Sequence, residues 1–569
     1  MNRLLKFLTL LTLAGAVFRF RRSIYAYLLK LPPPLNRVRV ETDLAVTMPD
    51  GVKLATDVYL PVGKGKYPAI LMRSPYGRRG QYSVFGHLQA FFAQRFAERG
   101  YAVIVQDVRG RFGSGGTFDP YWHEHDDGIA TLEWIAAQPW CDGQIGMWGA
   151  SYGGIVQWAV AASTPLLKAF VPSISAASLH PILYPDGAFD LGLALRWLSI
   201  FKALDIHREG SILDYFQFYL QMEATLQRAF KHLPITEADV VAVGKEVPFY
   251  RFWLEHSDPT DEAWQQVAEQ INLEKVNAPV HLVGGWHDFF LRPLLDDYAT
   301  LKAAGKRPYL TVGPWHHYAE LVSFADLREG LRWFDAHFKG KTDRLRQNPV
   351  RLYVMGANEW RDFPDFPPPA IMRSFYLTTE RWLTNEPPTD DAPPSRYVYD
   401  PAHPTPIVGG TQFNMDAGAR DNRRWEQRKD VLTFTSSALE ADLDVIGAAR
   451  LTLYVTSSLE HTDFFARLCD VDPMGKSINV CDGLLRIKPG VGECQPDGTL
   501  KIEVALWSTA YRFRKGHRLR LCIASGAHPR WNRNPGTGEL ITTTLRIAEQ
   551  QIFHDQTHPS MLLLPEVKP

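Results

Sequence analysis

The sequence predicts an α/β domain with a parallel sheet, interrupted by a helical insertion and followed by an all-β domain. Strands and helices alternate from Pro68 to Ser173, and strand-like runs resume near Val280. An aromatic-rich segment with helical spacing lies between these parts, and beyond Gly340 the chain has short alternating runs separated by proline-rich joints. Alternating strands and helices favour a parallel sheet, whereas many short strands are typical of a sandwich. The 569 residues provide material for two or three domains.

Residues 1–36 are predicted to be a leader, either a signal peptide or a membrane anchor. The basic start Met1–Lys6 precedes the apolar run Phe7–Phe18, and Ala14-Gly15-Ala16 is similar to a cleavage site. Three arginines follow at once and oppose translocation, namely Arg19, Arg21 and Arg22. The apolar run is also shorter than the roughly 18 residues of a membrane span. A cleaved signal peptide, an anchor in contact with the membrane and a frayed amphipathic extension all stay open, and export or membrane association is favoured over a cytoplasmic location.

Residues 37–176 are predicted to form the first part of the α/β domain. Val38–Met48 and Val52–Leu60 alternate on either side of Pro49-Asp50-Gly51, a pattern typical of a β-hairpin. Two buried parallel strands and the helix between them are predicted at Pro68–Arg73, Phe85–Arg99 and Tyr101–Asp107.

Residues 177–277 are predicted to form a helical cap, because this segment is rich in aromatics at helical spacing and has little strand character. Some of these aromatics are expected over a substrate pocket, and the alternative is that they fill the core of the cap itself.

Residues 278–345 are predicted to complete the α/β domain. The strands Val280–Trp286 and Tyr309–Gly313 end in the polar clusters His287-Asp288 and His316-His317. Active sites of open α/β sheets form at the carboxyl ends of the strands, so both clusters lie where catalysis would need them.

Residues 346–569 are predicted to form a jelly-roll β-sandwich. Runs such as Arg450–Val455 and Leu519–Ile523 alternate in the manner of short antiparallel strands.

The composition excludes several classes of function. The 62 basic and 62 acidic residues cancel, and the body of the chain has no arginine-rich tract, so nucleic-acid binding is not indicated. The five cysteines have no CxxC spacing, so neither a zinc site nor a disulfide framework is indicated, although one disulfide among the last four stays open. The glycine-rich stretch Gly110–Gly116 has no Walker lysine. No metal or nucleotide cofactor is therefore expected.

The candidate nucleophile is Ser151, in the Gly-x-Ser-x-Gly motif of Gly149–Gly153. Apolar runs precede and follow the motif, as in the strand, strained turn and helix of the α/β-hydrolase nucleophile elbow. Side chains at the two glycines would collide with the neighbouring strand or helix. The alternative is a structural turn with an idle serine.

A serine needs a base to remove its proton and a carboxylate to hold that base in place. The chain supplies Ser151, Asp288 and His317 in the α/β-hydrolase order. Chemistry alone does not rank His316 against His317, and Asp288 has an alternative role as the cap of a loop.

The oxyanion of the tetrahedral intermediate needs two donors. The N–H of Tyr152, which follows the nucleophile, supplies one. The loop after an early strand should supply the other, and there the phenol of Tyr76 is the candidate, with a packed loop aromatic as the alternative. Farther along, the acidic pair Asp126-Asp127 is expected to open a helix, where carboxylates favour the dipole.

The chain resembles the CocE/NonD hydrolases, which are the cocaine esterase and X-Pro dipeptidyl-peptidase group of α/β hydrolases. The motifs that carry the resemblance are RSPYG (Arg73–Gly77), DVRGRFGSGG (Asp107–Gly116), WGASYGG (Trp148–Gly154), GGWHD (Gly284–Asp288), GPWHH (Gly313–His317), DVDPMGKSINVCDGLLR (Asp470–Arg486) and GHRLRLCIASGAHPRWNRNPGTGE (Gly516–Glu539). They span roughly residues 38–555 and leave the leader outside.

The resemblance implies an α/β-hydrolase fold with a helical cap and a jelly roll that packs on both. It implies Ser151 as nucleophile, Asp288 as acid and His317 as base, because the family's GPW-x-H histidine falls on His317. It also implies Tyr76 as an oxyanion donor beside the Tyr152 amide.

The expected substrate is a small acyl ester or amide with an apolar acyl or aryl part. An X-Pro dipeptidyl-peptidase is the first alternative; it would need acidic groups to hold the substrate ammonium, and the cap offers Asp186, Asp190, Asp205, Glu209, Asp214 and Glu255. An acyltransferase and a non-catalytic protein that binds carbohydrate or a partner are further alternatives.

Overall fold

The computed structural model describes residues 19–81 and 83–568, without the side chains of residues 212, 269, 270 and 320–322. The apolar run Phe7–Phe18 and the cleavage motif Ala14-Gly15-Ala16 lie outside the described residues. In the part of the chain that the structure describes, no helix has the length and hydrophobicity needed to cross a membrane.

The described chain divides into two compact units. The first holds the residues up to Ser173, together with Lys275–His281 and Leu321–Arg346. The second holds Ile174–Glu274, Leu282–Glu320 and the residues from Gln347 onward.

The first unit is an α/β structure. Its strands are β1 (Val38–Thr47), β2 (Lys53–Pro61), β3 (Tyr67–Ser74), β4 (Ala102–Asp107), β5 (Cys141–Ala150) and β6 (Leu167–Ser173). Its helices are α1 (residues 19–28), α2 (Val84–Ala97), α3 (Glu124–Ala136) and α4 (Tyr152–Ala161), with a later helix at Ala325–Lys339 and a 3₁₀ turn at Thr342–Arg344.

The strand order of the first unit is β1-β2-β4-β3-β5-β6. The predicted hairpin is confirmed, since β1 and β2 pair antiparallel around a turn in which Gly51 has φ +85°. Strand β4 pairs antiparallel with β2 and parallel with β3, and β5 pairs parallel with β3 and β6. All six residues of β4 are buried, as expected for an apolar strand inside a sheet.

Residues 19–36, which belong to the predicted leader, pack on the rest of the first unit. The Arg22 guanidinium pairs with the buried Glu98 carboxylate at 2.8 Å, and the ring of Tyr25 contacts that of Phe91 edge-on, 5.5 Å between centroids. Residues 19–36 are therefore in contact with α2 and the turn that follows it.

The second unit begins with the predicted helical segment. Its helices are α5 (His180–Leu183), α6 (Leu191–Glu209), α7 (Ile212–Lys231), α8 (Ala238–Val243), α9 (Pro248–Glu255) and α10 (Glu262–Gln270), with 3₁₀ turns at Pro185–Gly187, Ile235–Glu237 and Leu273–Lys275. Aromatics of α6 and α9 pack on each other, because the ring of Trp197 lies 4.5 Å from that of Phe201 and 5.8 Å from that of Trp253. These three aromatics fill the core of the cap.

The second unit continues with strands β7 to β10, in that order across the sheet. These strands and the helices among them are β7 (His281–Gly285), α11 (Leu291–Ala303), β8 (Tyr309–Gly313), α12 (His317–Ser323), α13 (Ala325–Lys339, of the first unit), β9 (Val350–Val354) and β10 (Glu359–Phe363). Strands β8 and β9 are parallel, whereas β9 and β10 form an antiparallel pair.

The chain from Ile371 onward is all β, whereas β9 and β10, inside the predicted 346–569 segment, continue the sheet of β8. The strands are β11 (Ile371–Leu377), β12 (Trp382–Thr384), β13 (Ser395–Tyr399), β14 (Leu432–Ser436), β15 (Leu443–Gly447), β16 (Arg450–Ser457), β17 (Thr462–Val471), β18 (Ser477–Ile487), β19 (Glu493–Cys494), β20 (Leu500–Ala505), β21 (Thr509–Phe513), β22 (Arg518–Ala524), β23 (Ala548–Phe553) and β24 (Met561–Glu566). The main path is β13-β23-β16-β24-β11-β12-β14-β22-β17-β18. Inward-facing aliphatics such as Leu451, Leu453 and Leu521 form its core.

Within the second unit, the segment Gly526–Asn534 joins the β domain to the helical cap. The fully buried Arg530 pairs with Asp190, the N-cap of α6, and the indole N–H of Trp531 donates to the Pro185 carbonyl at 3.1 Å. The imidazole of His528 bonds to the Phe230 carbonyl at 3.1 Å. The β domain therefore packs on the cap through buried polar contacts.

Candidate active site

Ser151 lies in a strained turn between β5 and α4. Its backbone has φ +58° and ψ −124°, a region that residues other than glycine rarely occupy. Its N–H donates to the Ser173 carbonyl at 2.9 Å, and its carbonyl accepts the N–H of Gly154 at 2.8 Å. The end of β6 and the first turn of α4 hold the serine in this conformation.

The glycines on either side of Ser151 differ in how tightly they are enclosed. A Cβ at Gly149 would lie 3.0 Å from the Gly153 carbonyl oxygen, which is too close without a backbone shift. A Cβ at Gly153 would lie 3.5 Å from the Arg73 carbonyl oxygen, an ordinary contact. The predicted crowding therefore holds at Gly149, whereas Gly153 has room for a Cβ.

A buried polar network holds Tyr152, the residue after the serine. The Tyr152 hydroxyl donates to Glu124 Oε1 at 2.7 Å, and Glu124 Oε2 pairs with the fully buried Arg73 guanidinium at 2.9 Å. The Tyr121 N–H donates to the same hydroxyl at 3.2 Å, and the Tyr121 ring stacks on that of Tyr152.

Burial sets the protonation of this network. Burial raises the pKa of Glu124, and Arg73 and the Tyr152 hydroxyl oppose the rise. Burial, and next the Glu124 charge, raise the pKa of Tyr152 well above its ordinary value, so its phenol stays neutral and donates. The predicted helix start at Asp126-Asp127 is confirmed, since both carboxylates lie in the first turn of α3, together with Glu124.

Tyr76 lies in the loop after β3, beyond Arg73. Its ring is half-buried and packs on that of Phe85, 5.2 Å between centroids, while its carbonyl accepts a hydrogen bond from the Ser83 hydroxyl. Burial, and then the neighbouring phenol of Tyr76, raise the pKa of Tyr121. The Tyr76 and Tyr121 phenols are thus neighbours.

Asp288 and His317 come together after β7 and β8. His317 Nδ1 lies 2.7 Å from Asp288 Oδ2, and the two side chains are 4% and 1% exposed. Asp288 Oδ1 accepts the Phe290 N–H at 2.8 Å. Asp288 therefore serves both as the partner of the imidazole and as the predicted loop cap.

His317 lies against aromatic rings. The centroids of Phe289 and Phe413 are 4.6 Å and 5.3 Å from that of the imidazole, and Tyr318 stacks on Phe413. Phe413 follows His317 by about a hundred residues and carries no motif, so sequence reasoning did not find it.

The neighbouring histidines differ from His317. His316 Nδ1 is buried without a hydrogen-bond partner in the described structure, and burial lowers the His316 pKa. Burial lowers the pKa of His287 to about 4, with further contributions from the charges of His316, Arg420 and Arg467. The histidine that bonds to Asp288 is His317, the one that the family motif selects.

A cluster in the β domain has donor atoms at metal-binding distances. A carboxylate oxygen of Glu426 and the sulfurs of Cys469 and Cys522 lie within 4.8 Å of one another. The carboxylate already binds Arg520 at 2.7 Å and accepts the Ser477 hydroxyl, and burial raises the pKa of Cys522 well above its ordinary value. A protonated Cys522 thiol and an engaged carboxylate do not fit a metal site, and all five cysteines are free thiols.

Family models match most of the chain. Residues 50–319 match the X-Pro dipeptidyl-peptidase (S15 family) model, and residues 345–563 match the model of the X-Pro dipeptidyl-peptidase C-terminal non-catalytic domain. Cocaine esterase from Rhodococcus sp. is 32% identical over 93% of this chain and 99% of its own length.

Solved structures share the fold over nearly the whole chain. An α-amino acid ester hydrolase superposes with a TM-score of 0.76 at 22% identity, covering 94% of this chain and 97% of its own. An aminopeptidase from a marine sediment archaeon, Thaumarchaeota archaeon, superposes with a TM-score of 0.74 at 23% identity, covering 94% and 96%. At these identities the two structures bear on the fold alone.

Proposed function

Because this chain belongs to the family of the X-Pro dipeptidyl-peptidases and cocaine esterase and is a serine hydrolase, we propose that it hydrolyses acyl esters through a covalent acyl-enzyme. Ser151 is the nucleophile, His317 the base and Asp288 the carboxylate that orients it. The observation that carries the proposal is the buried 2.7 Å hydrogen bond between His317 Nδ1 and Asp288 Oδ2. Because the chain belongs to a hydrolase family, an enzyme is favoured over the alternative of a non-catalytic binding protein.

The proton moves through His317. Since Nδ1 is bonded to Asp288, Nε2 is the nitrogen that takes the Ser151 hydroxyl proton and later gives it to the leaving alkoxide. The Asp288 carboxylate stabilises the imidazolium that forms. Water then attacks the acyl-enzyme with His317 as base, releasing the acid and free Ser151.

Tyr152 and Tyr76 stabilise the oxyanion. The Tyr152 N–H is one donor and the Tyr76 hydroxyl the other, as the family motif implies. The Tyr152 side chain is bonded to the ion pair of Glu124 and Arg73, which supports a fixed position for the amide. A donor that is already in position stabilises the charge without reorganisation.

The surroundings of His317 favour an apolar acyl or aryl group. Phe289, Phe413 and Tyr318 present rings beside the imidazole. Apolar walls with few polar groups suit an ester that has an apolar acyl or aryl part.

An X-Pro dipeptidyl-peptidase is the second candidate, favoured by the names of both family models. It needs a carboxylate for the substrate ammonium, and several of the predicted cap acids already have partners, among them Glu209, which pairs with Arg208. Asp186 binds Arg292 and the Trp507 indole, Asp190 binds Arg530, and Asp214 caps its own helix. Because these carboxylates are already engaged, an ester hydrolase is favoured over an X-Pro dipeptidyl-peptidase.

A substrate panel tests the proposal. We expect turnover of p-nitrophenyl esters of short and aromatic acids, with X-Pro anilides turned over at least about a hundredfold more slowly. Ser151→Ala should abolish ester turnover and labelling by a fluorophosphonate, whereas Ser163→Ala, just beyond the same helix, should leave both unchanged. Faster turnover of the anilides would mean that the protein is an X-Pro dipeptidyl-peptidase and not an esterase. Residual turnover by Ser151→Ala would mean that Ser151 is not the nucleophile.

A further inference from the structure

A cavity of about 250 Å³ lies in the second unit, between the start of the cap, α10 and α11. Its walls are largely apolar and include Leu179, Trp264, Val267 and Ile271. Its titratable lining groups are His180 and Asp297. A concave, mostly apolar cavity with few polar groups is the usual form of a small-molecule site.

Asp297 is a buried carboxyl group without a cationic partner. It lies in α11 and is 5% exposed, and its Oδ2 accepts the Ala177 N–H at 2.8 Å. In the part of the chain that the structure describes, no lysine or arginine pairs with it: Arg292 of the same helix binds Asp186, and Lys302 binds Asp365.

The other polar groups of the cavity do not neutralise Asp297. His180 Nε2 lies 2.9 Å from the Ser257 carbonyl oxygen, and burial lowers the His180 pKa, so the imidazole is neutral. Burial raises the pKa of Asp297 well above its ordinary value, and the neighbouring Asp296 adds to the rise. The cavity alone therefore favours the protonated acid, and a cation bound beside Asp297 would favour its carboxylate form.

We propose that this cavity binds a small organic ammonium ion with an apolar or aryl body. The ammonium N–H groups donate to the Asp297 carboxylate, which keeps acceptor capacity beyond its bond to Ala177. The body packs on Trp264, whose indole N–H is already bonded to the His256 carbonyl at 2.6 Å. A single carboxylate among apolar walls is a poor cage for a divalent cation, which takes six or more oxygens.

The charge of the ligand is the first part of the test. Benzylamine and its neutral analogue benzyl alcohol are titrated into the full-length protein by calorimetry at pH 8. We expect benzylamine to bind about tenfold or more tightly than benzyl alcohol, because a hydrogen bond to a charged group is worth that much. Equal affinities, or no benzylamine binding, would overturn the proposal.

Variants locate the site. Asp297→Asn keeps an acceptor for Ala177 but removes the charge, and it should weaken benzylamine binding about tenfold or more. Glu262→Gln, an exposed acid on α10 outside the cavity lining, is the matched control. Ala268→Trp, an exposed lining position on α10, should block the cavity without touching Asp297. Ser151→Ala should bind benzylamine as wild type does, which keeps this test independent of the proposed hydrolysis. Unchanged benzylamine binding in both Asp297→Asn and Ala268→Trp would place the amine elsewhere and overturn the proposal.

Discussion

At the scale of single residues, the two proposed oxyanion donors differ in how they are held. The Tyr152 amide belongs to a helix whose first side chain is bonded to a buried ion pair. The Tyr76 hydroxyl belongs to a side chain that packs on Phe85 in a loop. We therefore expect loss of the Tyr76 hydroxyl to lower activity more than stability. We expect loss of the Tyr152 hydroxyl to lower stability more than activity.

Tyr76→Phe should lower kcat for p-nitrophenyl esters about a hundredfold or more, because it removes the hydroxyl proposed as an oxyanion donor. The free energy of unfolding should hardly change, since the half-buried ring and its contact with Phe85 remain. Steady-state kinetics and urea unfolding check the two effects, with the exposed Tyr219→Phe as control. An unchanged kcat would mean that the second donor is another group.

Tyr152→Phe should act mainly on stability. It leaves the amide in place but takes the hydroxyl donor from Glu124, so the buried carboxylate loses a hydrogen bond worth about 1.5–3 kcal/mol. We expect the free energy of unfolding to fall by about that amount and kcat to fall about tenfold with KM unchanged.

Urea unfolding and steady-state kinetics check this prediction, with the exposed Tyr27→Phe as control. A loss of kcat as large as that of Tyr76→Phe, at unchanged stability, would give the Tyr152 hydroxyl a direct part in catalysis.

At the scale of elements, local patterns predicted the hairpin of β1 and β2, the parallel strands β3 and β4, and the turn at Ser151. Each depends on residues that are close in sequence, on turn chemistry or on apolar runs. The bond between Asp288 and His317 could be predicted because the carboxyl ends of neighbouring strands lie at one edge of a sheet.

Long-range pairings could not be predicted in this way. Nothing near Asp190 indicates that its partner is Arg530, 340 residues later in the chain. Likewise, the sequence shows Glu124 only as one of several carboxylates at a helix start. Its hydrogen bond with the Tyr152 hydroxyl is seen only in the folded chain. Such pairs depend on how elements pack, and periodicity does not report packing.

The pair of Arg530 and Asp190 joins two elements, and Arg530→Gln should destabilise the protein by about 3–5 kcal/mol, because it leaves a buried carboxylate without its countercharge. Burial already raises the pKa of Asp190 to about 6 with the arginine present. The double variant Arg530→Gln with Asp190→Asn should recover part of the loss.

Urea unfolding of the single and double variants measures this coupling. Arg423→Gln is the control, since Arg423 and Asp421 form an exposed pair worth less than about 1 kcal/mol. If Arg530→Gln cost no more than Arg423→Gln, the buried pair would not hold the cap.

At the scale of the whole molecule, buried titratable groups make the stability depend on pH in opposite directions. Burial lowers the pKa of His528 to about 3, so the unfolded chain binds the extra proton and stability falls as pH falls below about 6.5. Burial raises the pKa of Asp107 to about 6 and of Asp326 to about 7, so their contributions are lost as pH rises through the interval from 3.8 to those values. The dependence of the protein's stability on pH is the sum of these effects. The contribution of one group is measured only by a variant that removes that group.

His528→Gln isolates one contribution, because a glutamine amide N–H can replace the imidazole at the Phe230 carbonyl and does not titrate. Between pH 6 and pH 4 the wild type should lose up to about 1.4 kcal/mol of unfolding free energy per pH unit more than His528→Gln. Urea unfolding at pH 7, 6, 5 and 4, followed by tryptophan fluorescence, measures this difference, and the exposed His403→Gln should parallel the wild type. Parallel curves for wild type and His528→Gln would mean that His528 takes up its proton at the same pH in the folded protein as in the unfolded chain. The contact between the cap and the β domain would then persist in acid.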